Sequence, residues 1–260
     1  MRTFKLTLAY DGTDYAGWQR QHKAATIQAA VEAALRPIEG RPVTVHGAGR
    51  TDAGVHALGQ VASVRLAHPL APPALVRALN ARLPPDVRAL HAEQVADRFH
   101  ARFDARGKVY RYRLAAGPVA NPLDRRYVWH LPQPVDPAAM QAAGALLRGR
   151  HDFAAFQTAA GERGPGSTER TIAALRVVAE PGPAWSAAAG ERCGGVIDVE
   201  VEGDGFLRHM VRTIVGTLVE VGRARRSVTD VAAVLASGRR ARAGPTAPAR
   251  GLFLVRVDYS

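Results

Sequence analysis

Between Phe4 and Leu8, apolar Phe4, Leu6 and Leu8 alternate with Lys5 and Thr7, the period of a half-buried strand. The turn formers of Asp11–Gly17 end it. Ile27, Val31, Ala34, Leu35 and Ile38 then recur at helical spacing, with Thr26 placed to cap the helix. Val43–His46 reads as a short strand, Gly47–Gly54 as a glycine-rich loop, and Leu58–Leu66 as a returning strand. Pro72 and Pro73 open a helix over Ala74–Leu83.

The second half follows a similar order. Lys108–Leu114 is a strand with Tyr110 and Tyr112 on one face and Val109, Arg111 and Arg113 on the other. Asp136 and Pro137 start a helix that runs to Leu147. Val196–Val201 is a strand, Phe206–Val221 a long helix, Ser227–Ala236 a short one, and Leu252–Asp258 the closing strand. Gln157–Thr171, Glu180–Gly195 and Gly238–Arg250 are rich in Gly, Pro or Ala and read as mobile. Strands interleaved with helices, without strict βαβ repetition, predict an α+β fold. Two halves, 1–104 and 105–260, repeat the order of elements without repeating residues.

Charge adds a partner to this picture. The chain carries a net +12, with a pI near 10.9, which points to a polyanion and most directly to nucleic acid. Of 35 basic residues only Lys5, Lys23 and Lys108 are lysine, a bias toward arginine that codon usage explains. Codon usage does not explain the excess of positive over negative charge. No run of 18 apolar residues is long enough to span a membrane, and Met1–Tyr10 lacks the continuous apolar core of a signal peptide. Cys193 is the single cysteine, which excludes an intramolecular disulfide and a thiolate metal cluster. The expected location is cytoplasmic.

The densest chemistry lies in Gly47-Ala48-Gly49-Arg50-Thr51-Asp52-Ala53-Gly54-Val55-His56-Ala57. Its glycines permit sharp turns and close approach of a ligand, while Arg50, Asp52 and His56 crowd polar function between two strands. Composition alone leaves open a surface hairpin in which Asp52 is only a turn residue. His46, Asp52 and His56 make a poor metal set, since zinc sites draw on three or four well-placed ligands. No Gly-Lys-Ser/Thr follows the glycines, so this is not a P-loop.

Residues 47–62, continuing through Leu58-Gly59-Gln60-Val61-Ala62, resemble the catalytic signature of the tRNA pseudouridine synthase A family. Ala9-Tyr10-Asp11-Gly12-Thr13 through Gly17-Trp18-Gln19 resembles that family's opening, and Lys108-Val109-Tyr110-Arg111-Tyr112 its tyrosine strand. Phe206–Arg212 resembles its basic helix and Gly251–Leu254 its closing strand, so the resemblance runs through nearly the whole chain in order. Thr213 departs from the asparagine common at that place in the family.

The resemblance implies the pseudouridine synthase fold: two similar halves around a large, mainly antiparallel sheet, helices on one side, and a cleft lined by basic residues. It implies isomerisation of uridine to pseudouridine at positions 38, 39 and 40 of the anticodon stem-loop of tRNA, by a homodimer. The C1′–N1 bond breaks, the uracil rotates, and C5 bonds to C1′. Nothing is oxidised and no group leaves, so neither cofactor nor metal is expected. Asp52 matches the catalytic carboxylate, as nucleophile or base. Arg212 matches the arginine set against it, which would oppose the rise in pKa that a dry pocket imposes.

Tyr110 matches the active-site tyrosine, whose ring can stack on uracil and whose hydroxyl can join proton transfer. Leu252 matches an apolar residue packed against the base. Arg50 matches an arginine that fills the gap left by the extruded base, where its planar guanidinium replaces lost stacking. Arg208, four residues before Arg212, would share its helix face. As a charged helix residue it is expected to face water or phosphate. His56 is expected to orient the loop by hydrogen bonds within the substrate-binding region. An RNA-binding module without catalysis would keep the charge, but would not need Asp52, Tyr110 and Arg212 together. A second rival, a closely related synthase acting on other uridines or another RNA, is barely tested by the sequence.

Overall fold

The structure, a computed structural model, describes residues 1–158, 166–180 and 195–259. Cys193, residues 159–165 of one segment expected to be mobile and most of another, Glu180–Gly195, lie outside these residues. The chain forms two compact units, Met1–Lys108 with Phe253–Ser260, and Val109–Leu252. The closing strand therefore belongs with the first unit, whereas the sequence reading keeps it with residues 105–260.

In the first unit, β1 (Arg2–Tyr10) pairs antiparallel with β3 (His56–Leu66) and β4 (Val87–Val95). The closing strand β10 (Leu252–Asp258) lies parallel to β3, with Phe253 opposite His56, and β2 (His46–Gly47) pairs antiparallel to β3. Pairing sets Phe4 opposite Val64 and Leu6 opposite Ala62, so the buried side chains of both strands share one face. Thr3 and Lys5, paired with Arg65 and Ser63, occupy the other.

The helix α1 (Ile27–Glu39) buries Ile27, Val31 and Leu35 along one stripe. Thr26 caps it as expected, its hydroxyl accepting from Ala29 N at 3.4 Å. α2 (Pro72–Asn80) begins on its prolines and packs on β4. The strand expected at Val43–His46 is reduced to His46–Gly47. Val45 gives its N–H to Glu32 Oε1 (3.1 Å) and its carbonyl accepts from Gln28 Nε2 (3.2 Å), so α1 side chains take the place of a ladder partner.

In the second unit, β8 (Glu169–Glu180) pairs antiparallel with β9 (Val196–Gly203) and β7 (Gly149–Asp152). β5 (Gly107–Ala116) pairs in parallel with the short β6 (Trp129–Leu131). Glu169–Thr171, expected to be mobile, are the first residues of β8. Asp136 caps α3 (Pro137–Ala145), accepting from Ala138 N (2.8 Å) and Ala139 N (3.2 Å). Next come α4 (Met210–Gly222) and α5 (Asp230–Ser237).

α4 is buried almost all round, the mark of a helix inside a core rather than on a surface. Ile214 and Leu218 are wholly buried, each worth about 1.5–3 kcal/mol. With strands and helices of this order and mainly antiparallel pairing, the chain has the α+β fold expected of it. No helix among the described residues is long and apolar enough to cross a membrane.

Candidate active site

The loop from Gly47 to Val55 is fixed by backbone bonds to the chain segment that follows β1. Trp18 N donates to Thr51 O (3.0 Å), Gly54 N to Tyr15 O (3.3 Å), and Val55 N closes a turn on Asp52 O (3.1 Å). Gly17 makes the approach feasible: its φ is +96°, and a Cβ there would lie 2.5 Å from Thr51 O. Beneath the loop Tyr10, from β1, sets its hydroxyl 2.9 Å from Thr51 Oγ1. Gln60 Nε2 donates to Tyr10 Oη (3.3 Å) and to Gly49 O (3.0 Å). Burial pushes the Tyr10 phenol up to about 12, against the opposing pull of its bonds to Thr51 and Gln60. Tyr10 therefore stays neutral and acts as a strut.

Asp52 is half-buried at the turn these bonds create. It is the one carboxylate among residues 47–62. A rigid backbone that holds a partly solvated carboxylate suits a nucleophile or base whose geometry must not drift.

His56 lies below this turn and is only 1% exposed. Its ring stacks on Phe253 at 4.8 Å. Its Nδ1 accepts from Gly12 N at 3.1 Å, which requires that nitrogen to be unprotonated. Asp11 Oδ1 lies at the same distance and becomes an ion-pair partner only if Nδ1 takes a proton. These contacts tie the Asp11–Gly12 turn, the loop and β10 together.

Arg50 is exposed on the same loop and donates from Nε to Gln19 Oε1 at 3.1 Å. Gln19 Nε2 donates to Gln28 Oε1 (3.1 Å), and Gln28 Nε2 donates to Glu32 Oε1 (2.9 Å). Glu32 Oε2 faces Arg20 Nη1 at 3.2 Å. The guanidinium thus starts from a defined pose, held by buried polar groups of α1. Sequence spacing gave no sign of this relay, since Gln19, Gln28 and Glu32 belong to no single motif.

In the second unit, Tyr110 is 8% exposed and meets Phe206 edge-on, ring centroids 5.1 Å apart. Tyr112 is wholly buried in the core as expected, its hydroxyl donating to Pro248 O at 2.7 Å. Burial pushes its phenol pKa up, with Arg212 and Arg250 pulling it down. Arg212 is partly buried on α4 and donates from Nε to Ala247 O (2.7 Å), while Ala247 N returns a bond to Arg212 O (3.1 Å). Leu252, 6% exposed, opens β10 just after this segment.

Two expectations need correction here. The helix does not begin at Phe206 but at Met210, because His209 adopts the left-handed conformation (φ 61°). The His209 ring bonds Thr158 Oγ1 at 2.5 Å, and Arg208 O accepts from Thr158 N at 3.3 Å, which fixes the turn. Arg208 is therefore exposed in a turn and shares no helix face with Arg212.

The second correction concerns Gly238–Arg250, which is a packed strap rather than a mobile loop. Ala243 and Ala247 are buried, Gly244 N donates to Thr217 Oγ1 (2.9 Å), and Arg240 donates to Gly244 O and Thr246 Oγ1 (both 2.9 Å). Arg240 is thus an internal tie and not part of an open basic surface. Arg250 likewise donates to Val128 O at 3.2 Å. No cluster of metal-ligating side chains occurs among the described residues.

Comparison with known proteins bears on this arrangement. A family model described as tRNA pseudouridine synthase matches residues 7–104 and 143–260. The tRNA pseudouridine synthase A of Moorella thermoacetica is 47% identical over the whole of both chains. That of Myxococcus xanthus is 45% identical, covering all of this chain and 92% of its own. A Desulfotalea psychrophila protein named tRNA pseudouridine synthase A 1 is 43% identical over the whole of both chains.

Proposed function

This chain belongs to the tRNA pseudouridine synthase family, a family of isomerases, and we propose that it converts uridines 38, 39 and 40 of the tRNA anticodon stem-loop to pseudouridine with Asp52 as the catalytic carboxylate. The observation that carries the reading is the placement of Asp52: one carboxylate in a sixteen-residue signature, half-buried on a turn clamped from both sides. In the reaction the C1′–N1 bond breaks, the uracil turns while held in the site, C5 bonds to C1′, and the proton on C5 is lost as N1 gains one. Atoms and charge balance without a redox partner.

Roles for the other residues follow from their chemistry. Arg212 is the cation that keeps the carboxylate ionised in a dry pocket. Tyr110 offers a ring for the uracil and a hydroxyl for proton transfer. Leu252 supplies apolar contact to the base. Arg50, exposed and pre-oriented by Gln19, is the group that enters the stem as the base leaves. Arg208, exposed in its turn, contacts phosphate. His56 positions the loop of the substrate-binding region through the bond it accepts from Gly12 N. A homodimer completes the reading, and sedimentation of the purified chain tests that part.

The test of function is pseudouridine mapping of tRNA from cells that lack the gene. Pseudouridine at 38, 39 and 40 should disappear, return with the wild-type chain, and fail to return with Asp52→Asn. The Asp52→Asn variant should still bind tRNA, because the change is nearly isosteric. Persistence of those pseudouridines without the gene, or their restoration by Asp52→Asn, would refute the assignment.

A further inference from the structure

Thr3, Ser63 and Arg65 point to the sheet face of the first unit opposite the buried side chains of Phe4, Leu6 and Val64. A pocket of about 390 Å³ opens on that face, between the Arg41–His46 segment and the Asp97–His100 segment. This is within the roughly 300–1,000 Å³ typical of sites for small organic groups. Its wall holds three arginines, Arg41, Arg65 and Arg98, and two histidines, against a single acid, Asp97. Arg41 is matched by Glu39 at 3.2 Å. Arg65 and Arg98 are exposed and make no ion pair or side-chain hydrogen bond among the described residues. Two unmatched guanidinium groups at one pocket favour an anion with several acceptor oxygens.

Rings continue the pocket on one side. His46 and His100 lie 5.1 Å apart between ring centroids, and His100 lies 4.4 Å from Phe103. Phe103 is 75% exposed, and Arg102 sits over it at 5.7 Å. Burial, and then the neighbouring His46, hold the His100 pKa below the usual histidine range, so its ring is neutral near pH 7. A largely exposed phenylalanine tilted against a neutral imidazole is costly to leave in water but well suited to receive another flat ring. Flat ring and phosphate together describe a nucleotide. His46 is followed directly by Gly47, the first residue of the loop that carries Asp52.

We infer that this pocket is an accessory RNA site: an unpaired base stacks on Phe103 and His100, and its phosphate lies between Arg65 and Arg98. The base is not the reacting uridine. The site adds affinity for RNA in a sequence-tolerant way, because every base has a face to stack. It rests on RNA being the substrate but not on which uridine reacts.

The experiment measures binding and isomerisation separately, using a fluorescein-labelled, unmodified tRNA transcript. Phe103→Ala should weaken binding by roughly 5- to 150-fold, the range for loss of one base–aromatic stack, and Phe103→Trp should restore it. Arg65→Ala and Arg98→Ala should each make the slope of log affinity against log salt shallower by about 0.7, as expected for a lost single-strand phosphate contact. Leu123→Ala removes an equally exposed apolar side chain elsewhere (71% exposed) and should leave affinity at the wild-type value. Wild-type affinity and salt slope in Phe103→Ala, Arg65→Ala and Arg98→Ala would overturn the site. So would unchanged RNA affinity with a Phe103→Ala chain that sediments as a smaller species, which would assign the face to a protein contact. Failure of the wild-type chain to form pseudouridine would instead count against the catalytic reading and leave the binding result standing.

Discussion

The Tyr10 hydroxyl lies 2.9 Å from Oγ1 of Thr51, the residue that precedes Asp52. A phenol from the first strand thus supports the turn that carries Asp52, and Gln60 ties the same phenol to Gly49 O. Burial raises its pKa from 10 to about 12. Because the folded pKa is the higher one, this contribution to stability is fully present below pH 10 and is lost as pH rises toward 12. Tyr10→Phe should therefore flatten that part of the alkaline unfolding curve. At neutral pH it should cost about 1–3 kcal/mol, since Thr51 and Gln60 lose a buried partner. Denaturant unfolding at pH 7 and across roughly pH 9–12 checks both statements, and identical curves for the two proteins would contradict them.

Tyr110→Phe keeps the ring that meets Phe206 and removes only the hydroxyl. Single-turnover isomerisation should slow by about 10²–10⁴-fold, the usual contribution of a positioned proton-transfer group. Tyr110→Ala should be slower still, because the stacking surface goes as well. A Phe variant as fast as wild type with an inactive Ala variant would reduce the role to stacking. Equal rates for all three would remove Tyr110 from the site.

Arg50→Ala should slow paired stem uridines more than an unstacked loop uridine, because only the former must leave a base pair at a cost of a few kcal/mol. Arg50→Lys should rescue little, since an ammonium has no plane to stack. The measurement is conversion at each position in anticodon stem-loops of graded stem stability. Equal slowing at every position would make Arg50 a phosphate contact.

Gly216→Ala tests the strap. A Cβ at this point of α4 would overlap the carbonyl oxygen of Pro245, so the strap must move. Overpacking of this kind costs about 1–3 kcal/mol. Since Ala247 holds both ends of the Arg212 backbone–side-chain pair, kcat should fall more than KM rises. A loss of thermal stability with unchanged kcat would show that the strap does not position Arg212.

The sequence alone determined whatever depends on local pattern. Alternation placed β1, the helical period placed α1, and Thr26 and Asp136 marked helix starts, because caps and periodicity act within a few residues. The Gly47–Ala62 signature located the carboxylate and the family. What it could not show was decided by partners distant in the chain. Val43–Val45 reads as strand, but Val45 gives its polar groups to Gln28 and Glu32, and Phe206–His209 has helical spacing but is turned by Thr158. The Gly-, Ala- and Arg-rich strap looked mobile because its ties to Thr217, Arg212 and Val128 leave no mark on its own composition. β10 likewise shows its period but not its neighbour, and pairs with β3 from the other end of the chain. A hydrophobic period reports that a face is buried, and only the folded chain chooses against what.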